Sequence, residues 1–184
     1  RTIDTKRYES RSSQSFIDNS VRENYLFNSS INGIEETDLI FLIGTNPRYE
    51  ATMVNARIRK AYLNNNTKII SLNDIGDLTY SYNFLDGKMQ TIKDIVENKN
   101  ELSKEIIDAK KPMIILGDSF LESISAKFLF FSLKNFLIKN NKFTDEWNPL
   151  NILSTNASTV GNFDLDIIND KEDLIKDLNE NKFE

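Results

Sequence analysis

Two short apolar runs, each closed by a glycine, constrain this chain more than anything else in it. Leu39-Ile40-Phe41-Leu42-Ile43 ends at Gly44, and Met113-Ile114-Ile115-Leu116 ends at Gly117. Neither run alternates polar with apolar residues. A strand with one wet face would alternate, so both runs predict strands buried on both faces of a parallel sheet. Between them, Lys68-Ile69-Ile70-Ser71-Leu72 reads as another strand. Val54, Ile58, Ala61 and Tyr62 recur at three- and four-residue spacing, which predicts a helix ending in Asn64-Asn65-Asn66. Strand, helix and strand over this distance make a βαβ unit, whose crossover is expected to be right-handed.

The same reading extends along the rest of the chain. Residues 1–24 are polar and predict an arm or loop, and residues 25–184 predict one α/β domain. Asp77 through Gly87 reads as a connecting loop with aromatic anchors. Met89–Glu97 and Leu102–Ala109 read as helices, the second ended by Pro112. Residues 121–139 predict a single core helix carrying Ile124, Phe128, Leu129, Phe131, Leu133, Phe136 and Leu137. Lys127, Lys134 and Asn135 interrupt it well short of the roughly 20 apolar residues a membrane span requires. Leu150–Leu153 predicts a short strand, and Asp170–Asn181 an acidic amphipathic helix with Leu174, Ile175 and Leu178 on one side. Lys182-Phe183-Glu184 reads as the lead-in to a further strand, so the domain is expected to be incomplete at its C-terminus. The chain opens at Arg1 without an initiator Met, as expected for part of a longer polypeptide. The predicted class is α/β, a doubly wound, mostly parallel sheet flanked by helices.

Composition limits the chemistry. The 184 residues contain no cysteine and no histidine. Disulfides, Cys/His zinc sites and thiolate-ligated iron–sulfur clusters are therefore impossible within the chain. A Ser-His-Asp or Cys-His mechanism is excluded as well. The net charge of −5 argues against nucleic-acid binding, which needs a basic face. Sequons at Asn28, Asn65 and Asn156 are read as chance in an Asn-rich chain, and frequent Asn, Lys and Ile suggest AT-rich coding.

The sharpest local feature is Gly44-Thr45-Asn46-Pro47-Arg48. It follows a buried strand and precedes a helix, the place where open α/β sheets bind ligands. Gly44 permits close backbone approach, the helix start offers amides, and Arg48 offers a bidentate contact to phosphate. Against this, no G-x-G-x-x-G and no Walker lysine is present. The bland alternative is a strand-to-helix turn fixed by Pro47, with Arg48 paired to Glu50 or a nearby carbonyl. Glu35, Glu36 and Asp38 are expected to cap a helix N-terminus. Arg57, Arg59 and Lys60 form either a solvated helix face or a docking surface. Gly117-Asp118-Ser119 reads as a turn, and Trp147 as a packing anchor.

A resemblance adds to this reading. Tyr25 through Asp38, Leu42 through Ala51, and Asn55-Ala56-Arg57-Ile58-Arg59-Lys60 resemble the large iron–sulfur (75 kDa) subunit family of respiratory complex I. Asp77-Leu78-Thr79-Tyr80, Ala109-Lys110-Lys111-Pro112, Leu116-Gly117 and Asn151-Ile152-Leu153 follow in that family's order. The resemblance covers most of residues 21–155 and points to the family's molybdopterin-oxidoreductase-like domain. It implies a scaffold role without catalytic residues, inside a subunit whose clusters pass electrons from NADH and FMN toward quinone. Those clusters would lie outside this chain, which is expected to hold no cofactor and no metal. Gly44, Asn46 and Pro47 match the Gly-x-Asn-Pro loop beside the cofactor in related formate dehydrogenases and nitrate reductases. With Thr45 and Arg48 that loop is expected to be vestigial. Implied partners are other peripheral-arm subunits of complex I and the rest of the same subunit, with no nucleic acid and no membrane insertion. The implied location is the matrix side of the mitochondrial inner membrane, or the cytoplasmic face of a bacterial one. The alternatives are a cofactor-binding piece of an active molybdopterin oxidoreductase and a phosphate- or nucleotide-binding Rossmann-like module.

Overall fold

Every residue of the first run is buried, and so is every residue of the second. The computed structural model describes residues 15–165 and residues 176, 179 and 180. Among these, β1 (Leu39–Ile43), β2 (Lys68–Ser71), β3 (Asn83–Phe84), β4 (Pro112–Gly117) and β5 (Leu150–Leu153) form one sheet in the order β3-β2-β1-β4-β5. All four pairings are parallel. From β1 the chain steps outward through β2 and β3, then returns to the other side of β1 for β4 and β5. The order therefore reverses between β1 and β4.

The helices are α1 (Pro47–Glu50), α2 (Thr52–Asn65), α3 (Met89–Val96), α4 (Glu101–Asp108), α5 (Asp118–Leu121), α6 (Ala126–Lys139) and α7 (Thr159–Asp164). Strand periodicity divides the core in two. Leu39, Phe41, Ile43, Ile114 and Leu116 face one cluster, completed by Ile92, Ile95, Ile106, Phe120, Phe130, Leu133 and Leu137 of α3 to α6. Ile40, Leu42, Met113 and Ile115 face the other, completed by Val54 and Ile58 of α2, with Ile34, Leu78 and Trp147. The sheet is thus covered on both sides, as the unbroken apolar runs require.

The compact unit that holds the sheet spans Ser15–Thr155, and α7 belongs to a second unit. Within the first unit, Phe16 and Ile17 pack against the α6 side of the core, and the Phe16 amide donates to the Leu121 carbonyl at 2.7 Å. The outer edge of β5 is closed by the segment before β1. The Ile152 amide donates to the Leu26 carbonyl at 2.9 Å, and buried Asn151 exchanges hydrogen bonds with the Ser29 amide and hydroxyl. Trp147 is the packing anchor its sequence context predicts, and its Nε1 donates to the Pro112 carbonyl at 2.9 Å.

Several expectations need correction. The single helix over 121–139 is two: α5 ends at Leu121, a turn follows, and α6 begins at Ala126. Ile124 lies in that turn and is fully exposed. Phe128 and Phe131, taken as core, lie on the outward side of α6 at 60% and 37% exposure, whereas Phe130 is buried at 1%. Pro112 does not end a helix; it opens β4, where its missing N–H costs least. The predicted helix over Asp170–Asn181 and the strand lead-in at 182–184 lie outside the described residues. Among the described residues, no helix is long and apolar enough to cross a membrane.

Candidate functional site

The reversal of strand order between β1 and β4 puts their carboxyl ends side by side, with Gly44 just after β1 and Gly117 closing β4. Gly44 has φ of +65°, a conformation that favours glycine. A Cβ built there would lie 2.3 Å from the Phe120 amide nitrogen and 2.6 Å from the Phe120 Cβ. A Cβ on Gly117 would lie 2.4 Å from the Gly44 carbonyl oxygen and 2.5 Å from the Thr45 Cβ. The two turns are pressed together, and α5 is seated on them with Phe120 completely buried.

The residues after Gly44 form a closed set. Asn46 caps α1, its side chain accepting from the Arg48 amide at 3.2 Å, and Pro47 supplies the preset φ of the first helical position. The amides of Tyr49 and Glu50 donate to the Asn46 carbonyl. Glu50 turns back over the loop. Its Oε2 accepts from the Thr45 hydroxyl at 2.6 Å and its Oε1 from the Asn46 amide at 3.0 Å. The Thr45 hydroxyl, the Asn46 amide and Nδ2, and the Arg48 amide and Nη1 are all engaged within the chain, and a carboxylate stands among them. Arg48 does not pair with Glu50. Its guanidinium donates to both the carbonyl and the carboxylate of Asp77, each at 2.6 Å.

Arg48 belongs to a larger arrangement. The backbone carbonyls of Ile75, Asp77, Leu78 and Thr79 accept from the side chains of Asn46, Arg48, Asn55 and Arg59, in that order. Four side chains from the segment after β1 thus hold the loop after β2. Asn55 is buried and also accepts from the Tyr80 hydroxyl at 2.8 Å. Burial pushes the Tyr80 phenol well above its usual range. The Thr79 amide and then Arg48 hold the Asp77 carboxyl below its ordinary value. This clamp was not foreseen from sequence, because its two halves are 20 to 29 residues apart.

The acidic trio does not cap a helix. Glu35 pairs with Arg57 and Lys60, and these contacts lower its carboxyl pKa, Lys60 foremost. Glu36 pairs with Lys111 at 2.5 Å. Asp38 accepts from the amides of Lys110 and Lys111, fixing the entry to β4. Arg57 and Lys60 are therefore committed to Glu35. At the other glycine, Asp118 accepts from the Thr155 amide at 2.9 Å and from its hydroxyl, joining the ends of β4 and β5. Among the described residues, no group of three or more Asp or Glu is placed to hold a metal.

A parallel, doubly wound sheet with paired glycine turns at its reversal point is the architecture in hand, and the sequence matches one family of that kind throughout. The chain belongs to the molybdopterin oxidoreductase family, which it matches over residues 2–183. Within that family it is similar to large subunits of NADH-ubiquinone oxidoreductase. It is 38% identical over 146 residues to the 75 kDa subunit of Reclinomonas americana, covering 79% of this chain and 21% of that one. It is 39% identical over 147 residues to the mitochondrial 78 kDa subunit of Neurospora crassa, covering 79% and 20%. It is 33% identical over 156 residues to the mitochondrial NADH dehydrogenase [ubiquinone] iron-sulfur protein 1 of Solanum tuberosum, covering 85% and 21%. The chain thus spans about a fifth of the length of the curated relatives it matches.

Proposed function

We propose that this chain is a scaffold part of the large iron–sulfur subunit of complex I, on the matrix side of the mitochondrial inner membrane, with no catalytic residue of its own. Its similarity to those subunits over most of its length supports the placement. The observation that carries the scaffold reading is the closed loop. Within Gly44 to Arg48, the side chains of Thr45, Asn46 and Arg48 and the Asn46 amide spend their hydrogen bonds on Glu50 and on the loop after β2, while Pro47 fixes the turn. A pterin dinucleotide would have to displace Phe120 from Gly44 and meet the Glu50 carboxylate. These residues do not fit it, and no step is assigned to it. The iron–sulfur clusters of the subunit would be carried outside this chain, which has no cysteine to ligate them. Its partners would be neighbouring subunits of the peripheral arm and the rest of its own subunit.

The test is native separation of the source membranes with an in-gel NADH dehydrogenase stain, then peptide identification and molybdenum analysis of the active band. Peptides of this chain in a molybdenum-free NADH-oxidising band are expected. Migration elsewhere sinks the complex I placement. Stoichiometric molybdenum, together with phosphate-ligand binding abolished by Gly44→Val, would favour a cofactor-binding fragment instead.

A further inference from the structure

The outer side of α6 is mostly unpacked; Phe131 meets Phe16 and Phe130 edge-on and is still over a third exposed. Phe128, Phe131 and Ile138 are 60%, 37% and 51% exposed, and helical spacing sets them in one stripe with Asn135. Ile124, just ahead of the helix, is fully exposed. A row of exposed apolar side chains along one helix face is a candidate interaction surface. The charge on the helix is equally lopsided. α6 carries Lys127, Lys134 and Lys139 and no acidic residue, within a chain of net charge −5. At 100° per residue, Lys127 and Lys134 fall on one flank of the stripe and Lys139 on the other. Lys134 donates to the Asn24 side chain at 2.6 Å. No ion pair of Lys127 or Lys139 is found among the described residues.

We propose that the outer face of α6 seats an amphipathic helix of another polypeptide, one whose apolar ridge is flanked by Asp or Glu. The apolar stripe fits such a ridge between its side chains. The flanking lysines select acidic flanks and penalise basic ones. A second copy of this chain fits poorly, because a two-fold pairing of α6 sets lysine flank against lysine flank. An anionic bilayer fits poorly as well, since the chain's net negative charge opposes its approach.

A photoreactive phenylalanine analogue at position 128, introduced into the full-length protein in its native membranes, tests this. Crosslinked peptides are identified by mass spectrometry. The expected product is a segment of a different polypeptide with apolar residues at helical spacing and acidic flanks. Its yield should fall about tenfold in the exposed double variant Lys127→Glu/Lys139→Glu. Crosslinks to a second copy, to lipid, or to a segment without acidic residues overturn the proposal. So does a yield at 128 no higher than at exposed Met53 (67%) probed in the same way. The proposal stands apart from the complex I placement, because the crosslink reads the chemistry of the occupant whatever complex contains it.

Discussion

The two faces of the sheet are built by different forces. On the α3–α6 face, Phe120, Phe130, Leu133 and Leu137 meet the odd-numbered residues of β1, and nearly all contact is apolar. On the α2 face Val54 and Ile58 of one long helix pack with Ile34, Leu78 and Trp147, and side-chain hydrogen bonds stitch the surroundings. Asn55 reaches Leu78 and Tyr80, Thr67 reaches the Thr37 and Ala61 carbonyls, and Arg57 with Lys60 reaches Glu35. Apolar burial is strong but has no direction; hydrogen bonds contribute less each but fix position. The first face therefore supplies stability, and the second sets where the loops beyond β1 and β2 lie.

If that division is right, substitutions on the two faces should separate by size and by kind. Phe130→Ala should cost about 3–5 kcal/mol in denaturant unfolding, whereas neighbouring Phe131→Ala should cost less because that ring is already over a third exposed. Equal losses at 130 and 131 would break the assignment of faces. At the junction of the faces, Gly44→Ala forces a Cβ against the Phe120 backbone at positive φ. Roughly 1–3 kcal/mol is expected from backbone strain and a similar amount from overpacking. Gly76→Ala is the control, at φ +77° with nothing within 4 Å, and should cost only about 1–2 kcal/mol.

On the polar face, Asn55→Ala strands the Tyr80 hydroxyl and the Leu78 carbonyl, at about 1–3 kcal/mol. Its signature should be local: faster amide exchange over residues 75–80, with the α3–α6 face unchanged. The smallest effect belongs to the solvent-exposed Arg48–Asp77 pair, where Arg48→Ala should give a slight loss that shrinks as salt is added. The acid limb carries the same signature. Asp77 and Glu35 have folded pKa values below their ordinary 3.8 and 4.5. Their contribution is complete above those ordinary values and is lost as pH falls through the lowered ones. Glu35→Gln should flatten that part of the stability–pH curve; an unchanged curve would show that the Arg57 and Lys60 contacts contribute nothing.

What could be read in advance follows the same division. β1 and β4 were legible because a strand buried on both faces writes itself as an apolar run, and α2 because its inward residues repeat at helical spacing. β3 was not, since its two residues are exposed and form no pattern. The break between α5 and α6 was missed because nothing but Ser123 and Ser125 marks it, and the excess of apolar residues hid which of them face out. The turn at Gly44 to Arg48 was placed correctly in the chain. Its partners were not, because Asp77 and Ile75 reach it only through the fold. The same holds for Asp38, whose acceptance of the Lys110 and Lys111 amides spans 72 and 73 residues.

The contact between Gly44 and Gly117 has a consequence for how such a domain can change over generations. Gly117 lies against the Gly44 backbone, and Gly44 lies against Phe120. Trimming Phe120 to open the crevice leaves a void that costs about 3–5 kcal/mol, a large share of an ordinary domain's 5–15 kcal/mol stability. Removing Glu50 to free the Thr45 hydroxyl and the Asn46 amide leaves those groups without their partner while Phe120 still blocks the way. No single substitution opens the space and frees the donors together. On the scaffold reading proposed above, a lineage carrying this interlock is held on one side of a fitness valley, with a ligand-holding crevice at least two coordinated changes away.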